Sequence, residues 1–326
     1  MAGLQDIRRR IRSVKNTQQV TKAMKMISAV KLRKSQERLV ALRPYASKMM
    51  EVVRRVVGRI KGDSEIQPGP AAQAFLSPRE EKRIRVVLVA SDKGLCGGFN
   101  ANVLKAATVF VSECQAEIVH VDVVGKRAAE WAKKRKLAPA GEYLNVPLAG
   151  LQQVVTEISK GASEQYHAGE IDALYVIYNY FNSAVAQTPT VFRVFPMDLD
   201  RRAEGRDAVE VSHLLEPDPN AVLETLLPRF VETELLRNLL ESSASEHGAR
   251  MAAMDKASNN AGEMIAKLTL TMNKIRQASI TNQIIEIVSG AKEPRTPGIH
   301  PSSCSSLSHF VFRGSSLRSP TPFKAA

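Results

Sequence analysis

MAGLQDIRRRIRSVKNTQQVTKAMKMISAVKLRKSQERLVALRPYASKMMEVVRRVVGRIK, residues Met1–Lys61, is the stretch whose reading decides the fold. Steps of three and four from Leu4 reach Ile7, Ile11, Val14, Gln18, Thr21, Lys25, Ser28, Leu32, Ser35, Leu39, Leu42, Ala46, Met49, Val53, Val56 and Ile60. Twelve of these seventeen positions are apolar, which predicts one long helix with a continuous seam. Between Gln18 and Ser28 the seam turns polar, and Val20, Met24, Ile27 and Val30 form a second apolar row about half a turn away. That row is expected to face something other than the seam's partner. Pro44 argues for a local bend rather than an end, because the apolar steps continue beyond it in the same phase.

Charge separates this stretch from the rest of the chain. It carries seventeen Lys or Arg against three acids, whereas the remaining residues hold twenty-nine bases and thirty acids, so the whole formal net charge of +13 resides here. A helix this cationic repels itself along its length and is expected to lie against acidic surface, unless its charge is only a solvated face. Tracking nucleic-acid phosphates is a third reading. No zinc-finger spacing, aromatic-interleaved basic patch or clean leucine zipper accompanies it, so no nucleic-acid partner is expected.

Outward from the helix, Gly62–Arg83 holds three prolines and two glycines and reads as a linker over 62–83. From 84 to 200 the pattern is that of a small Rossmann-like α/β domain. Strands are predicted at Ile84–Ala90, Glu117–Val124 and Ala173–Phe181, with an antiparallel edge strand at Thr188–Phe195. Helices are predicted at Asn100–Cys114, Lys126–Lys136 and Leu148–Tyr166, with a Pro/Gly break at Pro139–Gly141. The polar stretch 201–219 reads as a second linker, and 220–290 as a second long helix stepping through Leu223, Phe230, Leu240, Ala244, Met254, Ala261, Ile265 and Met272. Residues 291–326, rich in serine and proline, are expected to be a disordered tail.

The fold class expected is therefore α/β, with the two terminal helices paired as a long antiparallel coiled coil beside a central α/β domain. At 1.5 Å per residue the helices measure about 90 and 105 Å, so the second overhangs by about 15 Å. Its last turns, Ile284–Val288 (IIEIV), are too apolar to stand in water alone and are expected to enter a partner's sleeve.

Signals for chemistry are weak. The loop Ser91–Asn100 (SDKGLCGGFN) is glycine-rich and follows a strand, but it lacks both the dinucleotide fingerprint and a Gly-Lys-Ser/Thr phosphate loop. A tight turn packing strand to helix is the favoured reading. Cys96, Cys114 and Cys304 are too scattered for a disulfide framework or metal site. No catalytic residue, metal site or cofactor is expected, and no apolar run approaches a membrane span. With no leader pattern after Met1, the expectation is a cytoplasmic protein of bacterial type.

Five blocks carry a resemblance: Val20–Ser28 (VTKAMKMIS), Lys31–Tyr45 (KLRKSQERLVALRPY), Ser91–Asn100, Glu246–Ala261 (EHGARMAAMDKASNNA) and Asn273–Gly290 (NKIRQASITNQIIEIVSG). In them the chain resembles the gamma subunits of F-type, proton-translocating ATP synthases of bacterial type. The resemblance implies a central rotor stalk without a catalytic site of its own. Its implied partners are the hexamer of alpha and beta subunits, the epsilon subunit and the c-subunit ring, with the complex peripheral at the cytoplasmic face of the inner membrane. It also implies that Met24 and Lys25 meet a beta subunit's acidic loop, and that Arg276, Gln277 and Thr281 form the upper contact with the hexamer. Members of the chloroplast type carry a regulatory cysteine pair in an inserted loop; neither is visible here, so thiol switching is not expected. Family members end near Gly290, and this chain continues past it.

Overall fold

The computed structural model describes residues 3–62, 69, 80–196, 216 and 218–290. Helix α1 (Leu4–Gly62) is followed by β1 (Arg83–Val89), α2 (Phe99–Glu113), β2 (Glu117–Val124), α3 (Lys126–Lys134) and β3 (Pro139–Tyr143). A short 3-10 turn (Leu148–Gly150), α4 (Leu151–His167), β4 (Ala173–Phe181), β5 (Gln187–Phe195) and α5 (Pro219–Gly290) complete the order. Most of the two linker stretches and all of 291–326, including the tail read as disordered, lie outside the described residues.

The five strands form one sheet in the order β3-β2-β1-β4-β5. β1 pairs parallel with β2 and β4, β2 pairs parallel with β3, and β5 closes the far edge antiparallel to β4. A strand's alternation sorts its side chains between two cores. Ile84, Val86 and Leu88 face a core with Val103 and Ala107 of α2 and Ala128 and Trp131 of α3. Val87 and Val89 face the other, with α4, the lower half of α1 and the first turns of α5. Burial on both faces explains why Val86–Ala90 reads as an unbroken apolar run.

The fold follows the expected class, and the differences are local. Pro139–Gly141, read as a break, begins strand β3. Proline is tolerated as the first residue of an edge strand. Gly141 is required there, since a Cβ would come within 2.9 Å of Asp122 Oδ1 and 2.8 Å of the Tyr143 ring. The second long helix starts one residue early, at Pro219, with Asp218 Oδ1 accepting from the amides of Asn220 (2.8 Å) and Ala221 (3.0 Å). Asp218 is thus the cap and Pro219 the first helical residue, where its missing N–H costs nothing. Pro228, which the apolar stepping passes over, lies inside α5. Pro44 likewise lies inside α1, which is helical throughout.

Within residues 1–272, a compact unit, α1 and α5 run antiparallel. Ser35 Oγ meets Ser243 Oγ at 3.2 Å, Lys25 Nζ meets Asp255 at 2.6 Å, and Gln18 Nε2 donates to Ser258 O at 3.2 Å. Advancing along α1 thus means retreating along α5. Every one of the seventeen seam positions on α1 is buried or half-buried, the polar ones included. Residues 273–326 form the second unit, in which Arg276–Gly290 are all exposed helix.

Candidate partner-contact surfaces

Three regions present chemistry to the outside. On α1 the apolar row is turned outward: Val20, Ile27 and Val30 are 54%, 58% and 57% exposed, and Met26 beside them 72%. Met24 is half-buried. Lys25 points toward α5 and pairs with Asp255, both side chains retaining nearly half their exposure. The polar stretch of the seam therefore meets α5 through Gln18 and Lys25, with Thr21 and Ser28 buried along the same line, and leaves Val20, Ile27 and Val30 to solvent. Sequence reasoning missed Asp255, which lies 230 positions from Lys25, inside a motif block already singled out.

At the far end of α5, Ile280, Ile284, Ile285, Ile287 and Val288 are 48–71% exposed. Arg276, Gln277 and Thr281 share this exposed stretch, and Thr281 Oγ1 donates back to Gln277 O at 3.0 Å. They belong to the second unit, whereas Met24 and Lys25 belong to the first.

The third region is the glycine-rich loop. Ser91 N and Oγ bond to Asn100 Oδ1, Asn100 Nδ2 returns to Ser91 Oγ at 2.8 Å and Cys96 Sγ at 3.1 Å, and Asp92 Oδ1 accepts from Lys126 N and Asn145 N. The loop presents the carbonyls of Lys93 and Gly94 toward α5. Arg250 of α5 takes them: Nη2 donates to Lys93 O (3.0 Å) and Nε to Gly94 O (3.3 Å), while Nη1 pairs with Glu246 at 2.8 Å. Nearby, Ser245 Oγ donates to Asn179 O, and a Cβ on Gly248 would meet Ala184 Cα at 3.1 Å. The loop is a socket that fastens the sheet domain to α5. The i, i+4 spacing of Glu246 and Arg250 occurs on any charged helix face and did not single the socket out.

Burial raises the Glu246 carboxyl above its ordinary range, with Arg250 pulling against it. Burial first, then Arg250 and Lys31, push His247 down to about 4. A histidine whose folded pKa lies below the unfolded value of about 6.5 contributes stability that is complete above that value and lost as pH falls toward 4. Over that window the thermal midpoint of the native chain should fall relative to that of His247→Gln, in which Glu246 is still present. Parallel midpoint-versus-pH curves for the two proteins would show the expectation wrong.

A family model described as ATP synthase matches residues 3–293. The ATP synthase gamma chain of Solibacter usitatus is 46% identical over 291 residues, which span 89% of this chain and 99% of that one. The chain belongs to the ATP synthase gamma family. Among other gamma chains, that of Geobacter metallireducens is 44% identical over 301 residues and that of Anaeromyxobacter sp. 41% over 294, each covering 90% of this chain and 99% of its own. A chain of the Tetrahymena thermophila mitochondrial ATP synthase central stalk and c-ring shares the fold, with TM-score 0.51 and 24% identity over 73% of this chain and 99% of that one. All three regions above fall inside the matched span of the gamma family. As a family member the chain is a subunit of an enzyme complex associated with a membrane, and no described helix is long and apolar enough to cross one.

Proposed function

We propose that the chain is the rotating shaft of a proton-driven ATP synthase, transmitting rotation of a c-subunit ring to the catalytic sites of an alpha/beta hexamer. The observation that carries this reading is the antiparallel pairing of α1 and α5, with a cationic helix that leaves one apolar row unpartnered. The paired helices, 4–62 and 219–272, form the shaft, and the α/β domain, 83–196, the foot that docks on epsilon and the ring at the cytoplasmic face of a bacterial inner membrane. The shaft does no bond chemistry. It shifts each beta subunit between conformations according to which of its faces that subunit meets.

Met24 and Lys25 are assigned to a passing acidic loop of beta, and Arg276, Gln277 and Thr281 to the upper collar of the hexamer. The Lys25–Asp255 pair supports the first assignment. A half-exposed ion pair is worth about 0 to 1 kcal/mol, so Lys25 exchanges Asp255 for an external carboxylate at little cost and returns afterwards. A contact made and broken at every turn needs such shallow minima. Mixed with alpha and beta subunits, the chain should co-purify at one copy per hexamer and stimulate cooperative ATP hydrolysis. A hexamer that excludes it, or that takes up several copies, would refute the reading.

A further inference from the structure

Among the described residues, six buried side-chain atoms lack a hydrogen-bond partner. Only Ser163 Oγ stands apart. The other five are Arg237 Nε, both amide atoms of Asn238 and Glu241 Oε2, all within two turns of α5, and Arg54 Nε on α1. Arg54 and Arg237 line one cleft between the two helices, of about 460 Å³, together with Arg43, Ser47, Met50 and Glu234. Asn238 and Glu241 do not line it, and Asn238 Oδ1 and Glu241 Oε2 are acceptors; the two orphan donors at the cleft are those of Arg54 and Arg237. A buried donor left without an acceptor costs stability, so two guanidiniums in that state on one cleft point to an acceptor that comes from outside.

The charges around the cleft define that acceptor. Arg237 is held by Glu234, at 2.8 Å from Nη2, whereas the side chains of Arg43 and Arg54 make no ion pair or hydrogen bond among the described residues. Glu234 is the one acid lining the cleft against three guanidiniums, and Glu241, outside the lining, feels the charge of Arg43, so the cleft is net positive. Guanidinium groups present N–H donors in a planar fork that matches the oxygens of a phosphate or carboxylate, and charge-assisted bonds to such groups are short and strong. A phosphate ion would fill a small part of the space. The remainder, over Met50 and the arginine stems, suits a modest apolar body attached to it.

We propose that this cleft binds a phosphate group, as free inorganic phosphate or as the head of a small phosphorylated metabolite. The site lies on the paired helices at 43–54 and 234–237, at positions distinct from Met24 and Lys25.

Calorimetric titration of the full chain at constant ionic strength tests it, with inorganic phosphate in one arm, AMP in a second and chloride as blank. Saturable binding of one ligand per chain is expected in at least one arm, weakened tenfold or more in Arg54→Ala and in Arg43→Ala, and unchanged in Lys22→Ala. Tighter binding of phosphate identifies a free-anion site, and tighter binding of AMP a site for a phosphorylated metabolite. Arg43 is exposed, so its variant remains informative if Arg54→Ala fails to fold, which far-ultraviolet circular dichroism would reveal. No saturable binding above the chloride blank, or binding that folded arginine variants retain in full, overturns the proposal and leaves the arginines to an acidic protein partner.

Discussion

Arg250→Ala is expected to cut ATP synthesis by the assembled complex far more than ATP hydrolysis, and to lower the stability of the chain by about 2–4 kcal/mol, somewhat under the usual cost of orphaning one member of a buried pair. The guanidinium holds four groups at once: the Glu246 carboxylate, the His247 ring nitrogen and the carbonyls of Lys93 and Gly94. Deleting it leaves a largely buried acid, already raised by desolvation, with no counter-ion and frees the glycine loop from α5. The sheet domain and the shaft would then lose the one charged fastening that joins the loop to the helix among the described residues. Arg250→Lys should fall between, since an ammonium restores charge without the planar fork. Chemical denaturation measures the first effect and the ratio of synthesis to hydrolysis the second; equal losses of both activities would mean that Arg250 supports assembly rather than transmission.

Asp122→Ala should be costlier to the fold, by about 3–5 kcal/mol. Asp122 is wholly buried on β2 and accepts two bonds from Arg85 of β1, at 2.7 and 3.0 Å, while Arg85 Nη1 reaches Gln165 of α4 at 2.7 Å. Removing the carboxylate strands a guanidinium whose side chain is 7% exposed. Arg85→Met combined with Asp122→Leu should recover most of the loss, because neither charge is then left alone. If the double variant is as unstable as the single one, packing rather than charge is what the pair supplies.

Legibility in the sequence tracked how much of each signal was local. The α1 seam was legible because helical phase is a property of one segment: stepping by three and four picked out positions that are all buried or half-buried, even where the residues are Gln18, Thr21, Ser28 and Ser35. β1, β2 and β4 announced themselves as β-branched runs. β3 did not, since PAGEY has neither alternation nor apolar weight and owes its place to backbone pairing at Val121–Val124. At the contact surfaces, the row Val20, Met24, Ile27 and Val30 was read as distinct from the seam; Val20, Ile27 and Val30 do face outward, whereas Met24 is half-buried. The partners of Lys25 and of the glycine loop were hidden, because Asp255 and Arg250 are more than 150 residues distant and their local spacing looks like any charged helix surface.

The long reach of these bonds also governs how the molecule is made. Ser35 and Ser243 are 208 positions apart, and Gln18 and Ser258 are 240 apart, so the first helix to leave the ribosome must wait for nearly the whole chain before its companion exists. Contacts of such separation form slowly. During that wait the nascent N-terminus carries seventeen cationic side chains and an uncovered apolar stripe, a combination that adheres to ribosomal RNA and to other unfinished chains. The sheet domain, synthesised in between, can close first and hold both stems at one end, so that the pair zips from the foot upward as translation finishes.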